Sequence, residues 1–138
     1  MTEKIENNEA KAPTTKELMA LCVRVADDRK AENIVSLNVA EFSSLADFYV
    51  LCTGGSEPHL KAIIDNIGRE IKKEYLLAPR RVDGTAASHW MLMDYGNVIV
   101  HVMTEEAREL YNLENLWGDA VQIDIKEIVK LDSLGKSK

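Results

Sequence analysis

The sequence contains little cysteine. Cys22 and Cys52 are the two cysteines among its 138 residues, and they fall in different predicted elements. A single, widely spaced pair is not the framework of a disulfide-stabilised secreted domain. We therefore expect both thiols to be reduced and buried in the core, as in a cytosolic protein.

Long apolar runs and targeting signals are also missing. No apolar stretch approaches the length that crosses a membrane. Residues 1–13 lack the apolar segment of a signal peptide, and they lack the arginine-rich, acid-poor composition of a transit peptide. We expect a cytoplasmic protein that does not bind membranes, with residues 1–13 as a disordered leader.

Positive charge is in the minority, since the net charge is −6 and the isoelectric point is near 5.1. A protein that binds nucleic acid directly usually carries a basic face, so we expect no direct contact with DNA. An acidic surface suits a basic protein partner, because opposite charges steer their encounter. Hydrophobic residues make up 46% of the chain, enough for a core without disulfides.

Capping residues and hydrophobic periods divide residues 14–120 into helices and strands. Thr14 and Glu17 form a capping-box pattern, and Ser56 caps a second helix with an isoleucine stripe. Thr104 caps a third helix that ends at Gly118, with Ala107, Leu110, Tyr111 and Trp117 on its apolar side. The predicted strands cover residues 33–39, 47–53, 80–82, 90–94 and 97–103.

The predicted order is therefore helix, two strands, helix, three strands, helix, which indicates an α/β fold with a mixed sheet (α+β). Residues 47–53 are almost continuously apolar, which favours a central strand covered on both faces. Residues 94–97 read as a hairpin turn between the last two strands. Residues 121–138 form a C-terminal extension, in which 121–129 fits a strand or a helix equally well.

The segment Gly54-Gly55-Ser56 leads from a strand into a helix. It could hold a phosphate group, but it matches neither GxGxxG nor GxxxxGK[ST], so we favour a turn with a serine cap. Nucleotidyltransferases carry a similar turn and need clustered carboxylates for two metal ions. No acidic pair at alternate strand positions follows this turn. We therefore expect no enzymatic activity, no cofactor and no metal.

Two further features concern single side chains. His101 lies in an apolar strand without a Cys or His at metal-ligand spacing, which favours a hydrogen-bonded or interface role over catalysis. Trp90, Tyr95, Tyr111 and Trp117 all lie in the C-terminal half. Aromatic residues fill cores and also dominate interface hot spots. For Trp90, which begins its predicted strand, both alternatives stay open.

Two sets of residues resemble the signatures of the Iojap, or ribosome-silencing-factor, family. The first is Ala46-Asp47-Phe48-Tyr49-Val50, followed by Cys52-Thr53-Gly54-Gly55-Ser56. The second is Trp90, Asp94-Tyr95-Gly96, Val98-Ile99-Val100-His101-Val102-Met103, Arg108 and Tyr111-Asn112-Leu113-Glu114-Asn115-Leu116-Trp117. The match runs from about Thr15 to Ala120. Asp83-Gly84 stands where the family usually has Glu-Gly, and Met103 stands where an aromatic residue is common.

The resemblance implies a nucleotidyltransferase-like fold without transferase activity. It also implies a partner, ribosomal protein L-fourteen, on the face of the large ribosomal subunit that meets the small subunit. Binding there would block subunit joining and repress translation. The implied docking residues are Trp90, Asp94, Tyr95, Arg108, Tyr111 and Glu114, while Trp117 is assigned to the core.

Three alternatives to silencing stay open at this point. The first is a factor for assembly of the large subunit, as in organellar relatives. The second is a nucleotide-acting enzyme that uses the turn at residues 54–56. The third is an adaptor that forms a homodimer, which the resemblance allows because family members self-associate in crystals.

Overall fold

The computed structural model describes residues 12–41, 43, 46–112, 115, 121–126 and 128. Within them, the helices are α1 (Thr15–Asp28), α2 (Glu57–Tyr75) and α3 (Glu105–Tyr111). The strands are β1 (Glu32–Asn38), β2 (Phe48–Thr53), β3 (Arg81–Thr85), β4 (Trp90–Asp94), β5 (Val98–Met103) and β6 (Val121–Ile123). A short 3₁₀ helix, Ala86–Ser88, joins β3 to β4.

The strands form one six-stranded mixed sheet in the order β3-β4-β5-β2-β1-β6. β2 and β5 are parallel, and the other neighbouring pairs are antiparallel. The predicted α/β class with a mixed sheet is confirmed. Strand β6 pairs with β1, with Ile123 opposite Ser36. The sheet thus includes residues from the segment after residue 120, where the sequence did not decide between strand and helix.

Helices α1 and α2 pack on one face of the sheet and enclose the larger part of the core. Thr14 and Glu17 close the predicted capping box at the start of α1. The apolar stripe of α2 is fully buried and consists of Leu60, Ile63, Ile64, Ile67 and Ile71. All six residues of β2 are buried, which confirms a central strand covered on both faces. None of the described helices has the length and apolar composition needed to cross a membrane.

Both cysteines lie in this core as free thiols with no exposed surface. Burial raises the pKa of Cys22 to about 12, and the neighbouring Cys52 adds to the effect. Burial also raises the pKa of Cys52 to about 12. Both thiols therefore stay protonated at neutral pH and have none of the thiolate character that reactive cysteines need.

The opposite face of the sheet, which we call the second face, carries a smaller apolar cluster. Side chains alternate along β4, so Met91 and Met93 join the helix-covered core, whereas Trp90 and Leu92 lie on the second face. Ala107 of α3 packs into this second cluster. The second face is thus the place where the signature tryptophan meets the third helix.

Helix α3 differs from the prediction. It ends at Tyr111, where Asn112 adopts a left-handed conformation, and the buried side chains of α3 are Ala107 and Arg108. Leu110 is 76% exposed and Tyr111 51% exposed, so the predicted apolar side was wrong for these two residues. Arg108 faces the sheet instead, and its guanidinium donates to the hydroxyl of Thr53 in β2. Trp117 and Gly118 lie outside the described residues.

Candidate functional site

In the turn at residues 54–56, the backbone N–H groups of Gly54 and Gly55 are already occupied. The N–H of Gly54 donates to the carbonyl of Met103 at 3.0 Å, and the N–H of Gly55 donates to Nδ1 of His59 at 2.9 Å. Ser56 caps α2 by accepting from the N–H of His59 at 3.2 Å. The predicted serine cap is confirmed. Because no outward N–H of Gly54 or Gly55 remains free, this turn does not offer the donor cradle that a phosphate site requires.

His59 ties that turn to the end of α1. Its Nδ1 accepts from Gly55, so Nε2 carries the proton of the neutral ring and donates to the carbonyl of Arg29 at 2.7 Å. No role was predicted for His59, because no short motif marks one. The contact joins positions 30 residues apart, which only the packing of the two helices brings together.

Two acidic side chains on the second face flank an arginine. The guanidinium Nε of Arg81 lies 3.0 Å from a carboxylate oxygen of Asp83 and 3.8 Å from one of Asp94. A cation already separates these carboxylates, so the arrangement is an ion network rather than a pair poised to hold metal ions. Among the described residues, no group of three or more His, Cys, Asp or Glu side chains is arranged to hold a metal ion.

An aromatic cluster lies at the junction of β4, β5 and α3, and we define it as Tyr49, Trp90, His101 and Tyr111. The indole Nε1–H of Trp90 donates to Nδ1 of His101 at 3.1 Å. The ring centroids of Trp90 and Tyr111 are 4.6 Å apart at an angle of 46°. On the other side, the rings of His101 and Tyr49 meet edge to face at 5.2 Å. Trp90, half-buried, therefore touches a ring on each side.

His101 is a buried, neutral hydrogen-bond acceptor. It is 6% exposed, and burial lowers its pKa to about 4. Since Nδ1 accepts from Trp90, the single ring proton sits on Nε2, which has no hydrogen-bond partner among the described residues. The hydrogen-bonded role that the sequence favoured for His101 is confirmed, and its partner is the signature tryptophan.

A depression of about 240 Å³ opens beside Trp90 on the second face. Its lining residues are Asp83, Gly84, Ser88, Trp90, Leu92 and Tyr111. Gly84 has φ +81°, and a Cβ atom at this position would overlap the carbonyl oxygen of Trp90. Glycine is therefore needed for β3 to pass this close to β4. The depression, which we call the notch, combines apolar rings on one wall with an acidic residue on the other.

The structure separates the six predicted site residues. Trp90 and Tyr111 are in contact and partly exposed. Asp94 shares their face at the far end of β4, but its carboxylate accepts from the N–H of Gly96 at 2.7 Å within the hairpin turn. Its side chain is only 15% exposed.

The other three predicted residues have different surroundings. Tyr95 is 8% exposed and belongs to the helix-covered core, where burial raises the pKa of its hydroxyl. Arg108 is 8% exposed and donates to the hydroxyl of Thr53 at 2.9 Å. Glu114 lies outside the described residues. The prediction omitted Leu92, although strand alternation places it on the same face as Trp90. It also omitted Asp83, which lies outside the predicted strand 80–82 and reaches that face through the pairing of β3 with β4.

A second depression, of about 450 Å³, lies on the other side of α3. It is lined mainly by polar residues: Asn33, Ile34, Val35, Thr53, Glu105, Arg108, Glu109 and Asn112. Its one buried cation, Arg108, is bound to Thr53. Because its lining is more polar and includes no aromatic residue, this depression is a weaker candidate for a protein contact than the notch.

Comparisons with known proteins all point to one family. Residues 12–138 match the model of a family described as "Ribosomal silencing factor during starvation". The match extends past Ala120, where the quoted signatures end. A curated relative, the ribosomal silencing factor RsfS of Halalkalibacterium halodurans, is 37% identical over 84% of this chain and 98% of its own.

Solved structures agree with the fold. A crystal structure of a Chromobacterium violaceum protein superposes with a TM-score of 0.73 and 28% identity, covering 76% of this chain and 87% of the other. A Bacillus halodurans protein gives 0.68 and 36% identity, covering 79% and 98%. A more distant relative is the mouse protein named "Mitochondrial assembly of ribosomal large subunit protein 1", which is 27% identical over 70% of this chain and 43% of its own.

Proposed function

Because the chain belongs to the family of ribosomal silencing factors, we propose that it binds the large ribosomal subunit through ribosomal protein L-fourteen. From that position it blocks association with the small subunit and so represses translation. The ribosome is the partner of the family, and the relatives are named as silencing factors rather than enzymes. The chain is accordingly a binding protein, and its mechanism is one of contact and exclusion.

The observation that carries the proposal is the ring pair at the rim of the notch, formed by half-buried Trp90 and exposed Tyr111. Interface energy concentrates in a few large aromatic side chains that sit beside pockets and lose water on binding. Leu92 supplies apolar surface next to them, and Asp83 supplies a charge at the edge. This combination of an aromatic centre and a polar rim is the usual anatomy of a protein interface.

Charge supports a basic partner. The chain carries a net charge of −6, and ribosomal proteins that contact RNA are generally basic. Opposite surface charge raises the association rate, whereas the aromatic centre sets the dissociation rate. Asp83 and Asp94 place two carboxylates on the same face as the notch, and Arg81 pairs with both.

Steric exclusion explains how the bound protein would block subunit joining. A folded chain of 15.5 kDa bound at the subunit interface occupies space that the small subunit must enter, and the two cannot bind together. Inhibition of this kind needs no conformational change in the ribosome. It also needs no catalytic group, which fits the occupied N–H groups of Gly54 and Gly55.

Of the predicted docking residues, we propose that Trp90 and Tyr111 contact the partner directly. Asp94 stays a predicted contact at the edge of the same surface. Glu114, outside the described residues, stays a predicted contact. We propose that Tyr95 and Arg108 act by holding the hairpin and α3 in place, because their side chains are buried. A cytoplasmic location, where ribosomes translate, and a homodimer are further predictions.

Gradient sedimentation tests the proposal. Purified large and small subunits are mixed with and without the protein, and the fractions are probed for it. We expect the protein to travel with the large subunit and to lower the joined-ribosome peak. A protein that stays at the top of the gradient while joining is unchanged would overturn the proposal for mature subunits.

The name of the mouse relative favours one alternative, a role in assembly of the large subunit. Loss of an assembly factor should leave large-subunit precursors even during rapid growth. Loss of a silencing factor should leave mature subunits and raise the level of joined ribosomes when nutrients run out. Subunit profiles of a deletion strain in both growth conditions separate the two.

A further inference from the structure

His101 is an unexpected residue in its strand. The other five residues of β5 are apolar, and all six side chains are buried. The Nε2–H of His101 has no hydrogen-bond partner among the described residues, and a buried donor without a partner destabilises a fold. Packing alone would therefore favour an apolar residue at this position. We therefore look for the role of His101 in the contact made by its other ring nitrogen, Nδ1.

That nitrogen holds Trp90. Nδ1 of His101 accepts the indole N–H at 3.1 Å, and Tyr49 packs against the far side of the imidazole. Trp90 lies at the first position of β4, directly after the left-handed residue His89 and the 3₁₀ turn. A half-buried side chain at a strand end can take several rotamers. The hydrogen bond favours the one rotamer in which the indole reaches His101.

We propose that His101 is a positioning residue that fixes the indole of Trp90 in the orientation that docks on the partner. The inference rests on the proposed function, and it assigns His101 to docking without direct contact with the partner. A side chain that is immobile before binding loses less conformational entropy when the complex forms. His101 thereby lowers the stability of the fold slightly and raises the affinity for the partner.

Opposite changes in stability and in affinity distinguish a positioning role for His101 from a structural one. If His101 served the core, removing it should lower stability and affinity together. If it positions Trp90, His101→Leu removes an unpaired buried donor and adds apolar packing, so the melting temperature should stay equal or rise. Affinity for the large subunit should nevertheless fall about ten-fold, because the indole of Trp90 is no longer held in one rotamer before binding.

Three matched variants sharpen the test. His101→Asn keeps an oxygen acceptor near the position of Nδ1 and should retain affinity within about three-fold. His101→Gln is as polar as Asn, but its amide group lies one carbon further from the backbone, so it should weaken binding as His101→Leu does. Ile99→Val removes a methylene group from the same face of β5 without touching Trp90, and it controls for a small loss of core packing.

The experiment measures affinity for purified large subunits, melting temperature, and the indole N–H resonance of Trp90, assigned by its loss in Trp90→Phe. We expect the resonance to move and exchange faster in His101→Leu and His101→Gln but not in His101→Asn. Unchanged affinity in folded His101→Leu and His101→Gln would overturn the positioning role alone. Wild-type protein that does not bind large subunits would overturn the proposed function, and the docking role with it.

Discussion

The indole nitrogen of Trp90 on β4 donates a hydrogen bond of 3.1 Å to Nδ1 of His101 on the neighbouring strand β5. Trp90 stands opposite Met103 and Leu92 stands opposite His101, so the two side chains are diagonal neighbours on one face of the sheet. Their hydrogen bond connects the signature tryptophan to a buried group with a shifted pKa. The consequences can be measured in stability, in pH dependence and in binding.

The pH dependence of stability should reveal His101. Its pKa is about 4 in the folded protein and near 6.5 in the unfolded chain, so between these values only the unfolded chain binds the proton. Stability therefore falls as pH decreases through this window, by about 2 kcal/mol between pH 7 and pH 5. Urea unfolding at both pH values, compared with His101→Asn, isolates this contribution. An identical loss in the variant would assign the effect to other groups.

Gly84 should be intolerant of a side chain. Gly84→Ala places a Cβ atom against the carbonyl of Trp90 at a backbone with φ +81°, and we expect a loss of about 2 kcal/mol or more. Gly68→Ala is the matched control, because Gly68 is inside α2 and its Cβ would contact the methyl group of Met93 at 3.4 Å. We expect Gly68→Ala to be neutral or to stabilise by up to about 1 kcal/mol. Urea denaturation gives both values, and equal effects would contradict this account of Gly84.

His59 should matter for stability but not for docking. His59→Ala removes the bridge between the Gly55 turn and the carbonyl of Arg29, and we expect a loss of about 1–2 kcal/mol in unfolding free energy. Lys73→Ala, on the exposed side of the same helix, should change stability by less than about 0.5 kcal/mol. Affinity for the large subunit should be unchanged in both. A specific loss of affinity in His59→Ala would place the docking surface on the helix-covered side.

Much of the fold follows from local patterns in the sequence. The isoleucine stripe and serine cap of α2 are short-range features, and the helix begins and packs as they predict. The helix ends at Tyr75, with Leu76 in a left-handed conformation, ahead of Pro79. The buried strand β2 and the turn before β5 also match their patterns. In each case the sequence pattern and the structural element that it predicts cover the same short stretch of chain.

The docking residues could not be predicted in the same way. Tyr95 directly follows β4 and continues its alternation, so its ring shares the helix-covered core with Met91 and Met93, which the predicted docking role overlooked. Arg108 is buried because Thr53, 55 residues earlier, accepts its hydrogen bond. The Arg108 contact depends on the tertiary arrangement. A signature motif does not show whether a residue serves the fold or the partner. The Trp90–His101 pair was within reach, because the predicted hairpin turn at residues 94–97 fixes the register of β4 and β5.

The central claim is that Trp90 anchors the protein on the large subunit and that this contact prevents joining. The most direct measurement is light scattering during subunit joining at increasing concentrations of wild-type protein, Trp90→Ala, and Leu76→Ala, an exposed apolar control on the loop after α2. We expect Trp90→Ala to stay folded and to need about thirty-fold more protein for the same inhibition, equivalent to about 2 kcal/mol, while Leu76→Ala matches the wild type. Equal inhibition by folded Trp90→Ala and wild type would remove Trp90 from the interface and contradict the account.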